Sequence, residues 1–459
     1  MAIDIPPHIA ADADDRRDPA RWSPRKRNAY GWTITGMLLV LMMISWADKA
    51  ILGIVAVPIM KDLNLTTEQF GLLGSAVFML FGVAQLVAAP IANRVKSKWI
   101  LLVLCLIWSV AQVPIFVFAS LPALWFSRLL LGAGEGPLAP ISMHATYKWF
   151  PAARSAAPAA VTSSGVTLGI VAFAPVLAWI TAEFGWRATF IFLAMVGVVW
   201  AVAWIFVGKE GPYTSARAER EIDGGAAEGD EDASAAVAAD TKVSYRRSFA
   251  TPTWLLAVLC SFLGYWTFTV ATTWLPAYFE TVHGATTQQA GSLITLPALW
   301  GTFATIGLGV LPQRLAARGI PTRRSRGLVL GLAAAFAGIM VILGTLAPVS
   351  WLAVLFFTFG FGTAPALFAL TYLVASETTT VGQRGAVLQV TNAVLTAGGL
   401  FAPAVVGIII GRAASETVGY ANAFLLTGGM LSVAGVLGAL FINQQRDRLR
   451  LGLDVARTA

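Results

Sequence analysis

The chain has 459 residues, 57% of them hydrophobic and 12% charged, with 43 glycines and a formal net charge of +8. That composition excludes an ordinary soluble globule and describes a polytopic membrane protein. The basic excess follows from topology beside anionic lipid and calls for no nucleic acid, while Cys105 and Cys260, both inside apolar runs, exclude a disulfide framework or a cysteine metal site.

The first stretch, 1–28, has no short apolar core followed by a small-residue cleavage site. It reads as a cytoplasmic tail, acidic at first and ending in the basic anchor Arg25, Lys26 and Arg27. Apolar runs long enough to span a bilayer then recur twelve times, at about 29–60, 67–93, 97–118, 121–147, 154–182, 187–208, 251–280, 287–313, 326–347, 350–377, 384–411 and 418–443. The short loops after even-numbered spans carry Arg94, Lys96, Lys98, Lys148, Arg154, Arg314, Arg318, Arg323, Arg324, Arg326 and Arg384. The opposite loops carry only Lys61, Arg187 and Arg412. The positive-inside rule therefore predicts an all-α, multi-pass protein of the cell (inner) membrane with both termini in the cytoplasm. Between the six-helix halves 29–208 and 251–443, the stretch 209–250 is rich in Ala, Gly, Asp and Glu and reads as a flexible cytoplasmic linker. Residues 444–459 read as a C-terminal cytoplasmic tail.

The halves share an internal repeat. GAGEGP at Gly132–Pro137 has a counterpart in GFGTAP at Gly360–Pro365, and FAP at Phe173–Pro175 recurs at Phe401–Pro403, both at an offset of 228 residues. Two matches at one offset predict a duplicated six-helix unit, the plan of the major facilitator fold with its site at the bilayer midplane.

Few ionisable residues lie well inside the spans: Asp48 and Lys49 on the first, Arg128 and Glu135 on the fourth. A charge held there costs roughly 2.5–3.5 kcal/mol on insertion scales, so each is a candidate functional group. Glu280, Glu377, His144 and Lys148 lie near helix ends. Arg128 and Glu135 are seven residues apart, two turns along one face, and can look into one cavity. Glu135 falls roughly 21 Å into its helix, close to the midplane of a ~30 Å core. Asp48 and Lys49 are consecutive and point about 100° apart, so they have different partners. Pairing Asp48 with Arg128 leaves either a second pair, Lys49 with Glu135, or a Lys49 free for an anionic ligand. The four charges cancel, and one added proton makes the site +1, which suits a bound monoanion. The second half has Thr363 where the first has Glu135, so the proton and anion chemistry is assigned to the N-terminal half. The competing reading is a pair of inert ion pairs tying two helices together.

Trp46, Phe81, Tyr265, Trp266, Trp274, Trp300 and Tyr372 are aromatic candidates for a cavity wall, each also usable in packing. Asn392 is a polar amide inside the eleventh span, at the repeat position of Ser164, and both are candidate substrate contacts. Walker, Rossmann, zinc-ligand and nucleophile-elbow patterns are missing from the sequence, which therefore points to neither an enzyme nor a cofactor.

WADK at 46–49, RLLLGAGEGPLAP at 128–140, YKWFP at 147–151, TWLPAYFE at 273–280 and RGAVLQVTNA at 384–393 together resemble the anion:cation symporter family of the major facilitator superfamily, in its bacterial organic-acid permease branch. The resemblance covers nearly the whole membrane chain. It implies a secondary transporter working by alternating access, with a proton as coupling ion, a small carboxylate such as a sugar acid or aromatic acid as substrate, and a monomer as working unit. It further implies that Asp48 and Glu135 carry protons, Arg128 is their charge partner, Lys49 faces the substrate carboxylate and Asn392 hydrogen-bonds it. The sequence departs from the family where it has Lys49 for arginine, Asn93 for aspartate, Phe81 for tyrosine and Val166 for glutamine. A lysine keeps the charge and loses the bidentate fork, and the lost phenol and amide favour a substrate with fewer hydroxyls. The alternative, a proton-coupled exporter of drugs or aromatic metabolites, is disfavoured by SSGVTLGIVAFAP in the fifth span, which lacks the glycine-proline turn that efflux members tend to carry there.

Overall fold

The computed structural model describes residues 19, 22–92, 94–118, 120–151, 154–213, 243–380 and 383–453. Asn93, the first 18 residues and the middle of the central stretch, 214–242, lie outside the described residues. The described residues form helices joined by turns, with no strand among them. Helix α1 (Pro24–Ile54) continues through a kink at Val55 into Ala56–Leu63 and is followed by α2 (Thr67–Ala92). Next come α3 (Ser97–Ala111, then Val113–Phe118), α4 (Leu121–Glu135, then Leu138–Tyr147), α5 (Ala156–Phe184) and α6 (Trp186–Val207). The second half has α7 (Pro252–His283), α8 (Thr287–Leu293, then Thr295–Ala317), α9 (a π-turn at Arg323–Gly327, then Leu328–Thr345) and α10 (Ser350–Thr363, then Ala366–Glu377). Helices α11 (Arg384–Gly411), α12 (Glu416–Phe441) and α13 (Gln444–Arg450) complete it.

Eleven of these, interrupted ones such as α3, α8 and α10 included, are long and apolar enough to cross a membrane by length and composition. The fourth span, which carries Arg128 and Glu135, is not among them, and α4 breaks at Gly136–Pro137 into two pieces. Its repeat partner α10 breaks at the matching place, between Thr363 and Ala366. A proline has no N–H to give and clashes with the carbonyl four residues back, so Pro137 and Pro365 each end one piece and start the next. Pro114 does the same in α3, leaving Gln112 at the interruption.

Starts are fixed by capping. Ser23 accepts from the Lys26 amide ahead of Pro24, and Thr251 from the Trp254 amide ahead of Pro252, so a cap and an N1 proline open both halves.

The two halves meet along α1 with α7, α2 with α11, and α5 with α8. These seams are sealed at the end away from the termini. Gly71 packs on the Pro403 carbonyl and on Gly407, leaving no room for a side chain. Around it the Ala404 amide donates to Ser75 Oγ at 3.2 Å, Phe70 meets Trp274 edge-to-face at 5.3 Å, and Arg412 Nε lies 3.3 Å from Glu68. At the opposite, cytoplasmic end the polar contacts tie each half to itself. In the first half the Lys148 ammonium pairs with Glu210, the Tyr213 amide donates to the Lys148 carbonyl at 3.0 Å, and Tyr30 Oη donates to the Val207 carbonyl at 2.6 Å. In the second, Arg326 pairs with Glu377, Arg448 donates to the Glu377 carbonyl at 2.7 Å, and Asp447 accepts from the Thr253 amide at 3.0 Å. Among the described residues, the hydrogen bonds and ion pairs that join the halves lie at the outer end, while those at the other end stay within one half, the pattern of an inward-facing form.

Two expected segments are more structured than a linker and a tail. Residues 209–213 fold back onto the first half, and Gln383 brackets Val243 through both of its amide atoms at 3.0 and 2.7 Å, so the ends of the 209–250 stretch are anchored. In the expected tail, α13 buries Gln444 and Asp447 because the Asp447 carboxylate caps the start of α7.

Glu210 gives a pH prediction. Burial pushes its carboxyl up, but the Lys148 hydrogen bond and charge, with the Ser97 amide and hydroxyl, outweigh that and hold it below the ordinary carboxylate value. A depressed carboxyl contributes stability that is complete above its unfolded pKa and disappears as pH falls through the folded one. Wild type should therefore unfold at a higher temperature than Glu210→Gln at neutral pH, with the difference closing only below the ordinary carboxylate range of about 4.3. Melting curves of both proteins across that pH range check this; a constant difference rejects it.

Candidate functional site

The site forms where α1, α3 and α4 meet, about halfway along the fourth span. Gly132 and Gly136 on α4 lie against the backbone of α2 at the Val77 and Phe81 carbonyls, where a Cβ has no space. That contact, with the break after Glu135, delivers the Glu135 carboxylate beside Phe81 and toward α1. Lys49 Nζ donates to Glu135 Oε2 at 2.6 Å and to Ser45 Oγ, one turn back on its own helix, at 3.1 Å. The same ammonium stands over two rings, 4.9 Å from Trp46 and 5.7 Å from Phe81. Of the two arrangements the charges allow, Lys49 with Glu135 is the one present.

Asp48 and Arg128 do not meet directly. Gln112 stands between them: its Nε2 donates to Asp48 Oδ1 at 2.6 Å, and its Oε1 accepts from Arg128 at 3.4 Å. The guanidinium also lies over the Phe190 ring at 5.0 Å. Asp48 and Arg128 are 0% exposed, Gln112 and Glu135 2%. The expected direct ion pair is thus replaced by an amide bridge. Gln112 carries only a modest signal in the sequence, an uncharged amide at the proline kink of an otherwise apolar helix. Asp48 Oδ2, Glu135 Oε1 and Arg128 Nε make no hydrogen bond to the protein, so the cluster keeps capacity for protons or a ligand.

The remaining candidates fall in different places. Trp46 and Phe81 flank Lys49. Asn392 Oδ1 accepts from the Tyr372 hydroxyl at 2.7 Å, joining α11 to α10 on the other half. Ser164 donates to the Val161 carbonyl of its own helix at 2.7 Å, which engages its proton and leaves its oxygen able to accept. Trp274 is 0% exposed, wedged in the outer seam against Phe70 and Tyr420 with Nε1 donating to the Pro403 carbonyl at 3.2 Å. It packs the closed gate and lines no opening in this form. Among the described residues no cluster of histidine, cysteine and carboxylate side chains could hold a metal.

Residues 37–403 match the model of the Major Facilitator Superfamily. The chain belongs to that superfamily. It is 30% identical over 416 residues, 89% of this chain and 93% of the relative, to a protein of Cupriavidus necator described as "Probable sulfoacetate transporter SauU". It is 26% identical over 447 residues, 93% of this chain and 95% of the relative, to the "Probable galactarate/D-glucarate transporter GudP" of Bacillus subtilis. Among solved structures, an inward-facing, occupied bacterial homologue of the human lysosomal transporter Spinster superposes with a TM-score of 0.74 at 19% identity, covering 92% of this chain and 98% of that one. The last likeness concerns the fold alone. This member of the superfamily is a membrane transporter related to carriers of organic acids, not an enzyme.

The bridge yields a prediction. Gln112→Leu removes the donor to Asp48 and the acceptor for Arg128 with little change of shape, leaving two buried polar groups unsatisfied at about 1–3 kcal/mol each. The purified variant should melt several degrees lower, whereas Gln112→Glu, which keeps an acceptor for Arg128, should retain part of the loss. Equal melting of wild type and Gln112→Leu rejects the bridge.

Proposed function

We propose that this protein is a proton-coupled symporter of a small organic monoanion, taking it up by alternating access of the two halves around Lys49. The observation that carries the reading is the 2.6 Å contact between Lys49 and Glu135: the cation best placed to receive a substrate anion is held by an internal carboxylate that can itself take a proton.

A proton on Glu135 cancels its charge and frees the ammonium. A carboxylate from solution then takes the place of Glu135 at Lys49, with Ser45 still supporting the ammonium from the turn below. When the anion leaves toward the cytoplasm, Lys49 draws Glu135 back and the proton is released. Anion and proton cross together because each makes room for the other, and the site is neutral when empty and when loaded. Asp48 offers a second proton position. Gln112 lets it titrate beside Arg128, because the guanidinium keeps the amide oxygen and the Phe190 ring whatever Asp48 does. Similarity to carriers named for sulfoacetate and for galactarate/D-glucarate supports an organic acid as the substrate, and the inward-facing form is the state from which an importer releases its load.

Glu135→Gln fixes the group in its neutral form. In proteoliposomes it should keep exchange of bound anion across the membrane and lose accumulation driven by an inward proton gradient. Lys49→Ala should weaken anion binding roughly 10- to 150-fold, the equivalent of a charged hydrogen bond of about 1.5–3 kcal/mol. Full gradient-driven accumulation by Glu135→Gln sinks the proposal; uptake only into inside-out vesicles turns it into export.

A further inference from the structure

The ammonium of Lys49 closes a circuit of aromatic rings. It lies over Trp46, and Trp46 meets Phe268 of α7 at 5.4 Å. Phe268 meets Tyr265 one turn away at 6.1 Å, and Tyr265 crosses back to Phe78 of α2 at 5.9 Å. Phe78 meets Phe81 at 6.1 Å, and Phe81 returns to the Lys49 ammonium. Three rings come from the first half and two from the second.

Packing alone does not account for this collar. Trp46, Phe78, Phe81 and Phe268 each keep part of their surface open. The rings of the sealed outer seam and of the second half's core, among them Phe70, Trp274 and Phe357, are fully buried. The collar therefore faces a space. Polar groups around it are few: Gln85 Nε2 donates to the Gly136 carbonyl at 2.9 Å, Tyr372 donates to Asn392, Ser45 serves Lys49, and the collar itself adds the single hydroxyl of Tyr265. A polyhydroxylated acid would leave most of its hydroxyls facing ring faces and edges, each deprived of a hydrogen bond it has in water. A flat apolar body fits instead, since aromatic pairs favour centroid separations of about 4.5–7 Å and gain beyond simple burial.

We infer that the substrate class of this site is an aromatic monocarboxylate, its carboxylate on Lys49 and its ring inside the collar of Trp46, Phe78, Phe81, Tyr265 and Phe268. This rests on the anion-symport reading and narrows it. Because the collar draws on both halves, one bound ring touches both and reports occupancy to each.

The test is binding to the purified full-length protein, followed by thermal shift and by competition, with benzoate, phenylacetate and 4-hydroxybenzoate as probes. Acetate, D-glucuronate and benzamide serve as comparisons. The aromatic acids should stabilise at concentrations roughly tenfold or more below those of acetate and glucuronate, and benzamide should not stabilise. Phe78→Leu and Phe268→Leu, on opposite halves and away from the Lys49 ammonium, should each erase most of the aromatic advantage while the response to acetate persists; a merely structural role would lower both responses together. Stabilisation by acetate or glucuronate with none of the three aromatic acids acting overturns the aromatic class and leaves anion symport standing. Stabilisation by benzamide as strongly as by benzoate overturns both. No response to any aromatic acid, or Leu variants that keep the aromatic preference, overturns the collar.

Discussion

The pair formed by Lys49 and Glu135 is the constraint on which the transport site depends. Two charges removed from water lose several kcal/mol of solvation each, and their mutual attraction repays this only when geometry is good. Here geometry is good for the ammonium, which has two oxygens and two ring faces, and less complete for the carboxylate, which leaves Oε1 without a partner. The ammonium is thus held tightly in place while its counter-ion is replaceable. A buried ion pair used only to join α1 to α4 would gain nothing from that asymmetry. A receptor that must be filled by either an internal or an external anion requires it.

The fold supplies this pair at the level where the halves part. Gly132 and Gly136 bring α4 against α2, and the break at Pro137 ends the helix just beyond Glu135, so the carboxylate sits at a joint and not in the middle of a rigid rod. The matching break in α10 carries Thr363, whose hydroxyl donates to the Phe359 carbonyl and accepts from Trp300. Duplication kept the joint and the close helix packing in both halves. It kept charge in one. In the proposed mechanism this asymmetry separates two tasks: the first half holds protons and the anion head, and the second contributes rings and the Tyr372 to Asn392 bridge.

Much of the architecture was legible in the sequence because its signals are large. Spans announce themselves by length and hydropathy, orientation by basic loops, and the four buried charges by their rarity in apolar runs. The partner of each charge was less legible. Spacing along α4 places Arg128 and Glu135 on one face, but whether Asp48 reaches Arg128 directly depends on how α3 seats between α1 and α4. That registry is set by side-chain packing between helices distant in sequence, and no periodicity within one helix encodes it. Gln112 was invisible for the same reason. Aromatic residues present a related difficulty: Trp46 and Trp274 look alike in the chain, yet one stands over the cation and the other seals the outer seam. Depth along the bundle separates them, and a sequence gives depth only to within a turn or two. The helix breaks are an intermediate case: Pro114, Pro137 and Pro365 stand at them, but Pro90, Pro175, Pro276, Pro312 and Pro403 lie inside continuous helices, so a proline alone does not say where a span breaks.

The amide between Asp48 and Arg128 has a consequence for proton transfer. A direct carboxylate and guanidinium pair binds two charges so closely that protonating the acid strands the base in a low-dielectric interior. With Gln112 between them, each charge has its own partner atom on a neutral group. The only amide orientation that satisfies both places N–H toward the acid and C=O toward the base, the one observed. If Asp48 gains a proton on its unpartnered Oδ2, the Gln112 donor still meets Oδ1, and Arg128 still keeps the amide oxygen and the ring of Phe190. The proton can therefore arrive and leave without breaking the hydrogen bonds that join α1, α3 and α4. Glu135 differs, because its proton releases Lys49 and changes what the site can bind. One carboxylate is placed to titrate within a fixed frame and the other to exchange its partner, which is how, under the proposed mechanism, a single buried cluster takes up a proton and receives an anion without coming apart.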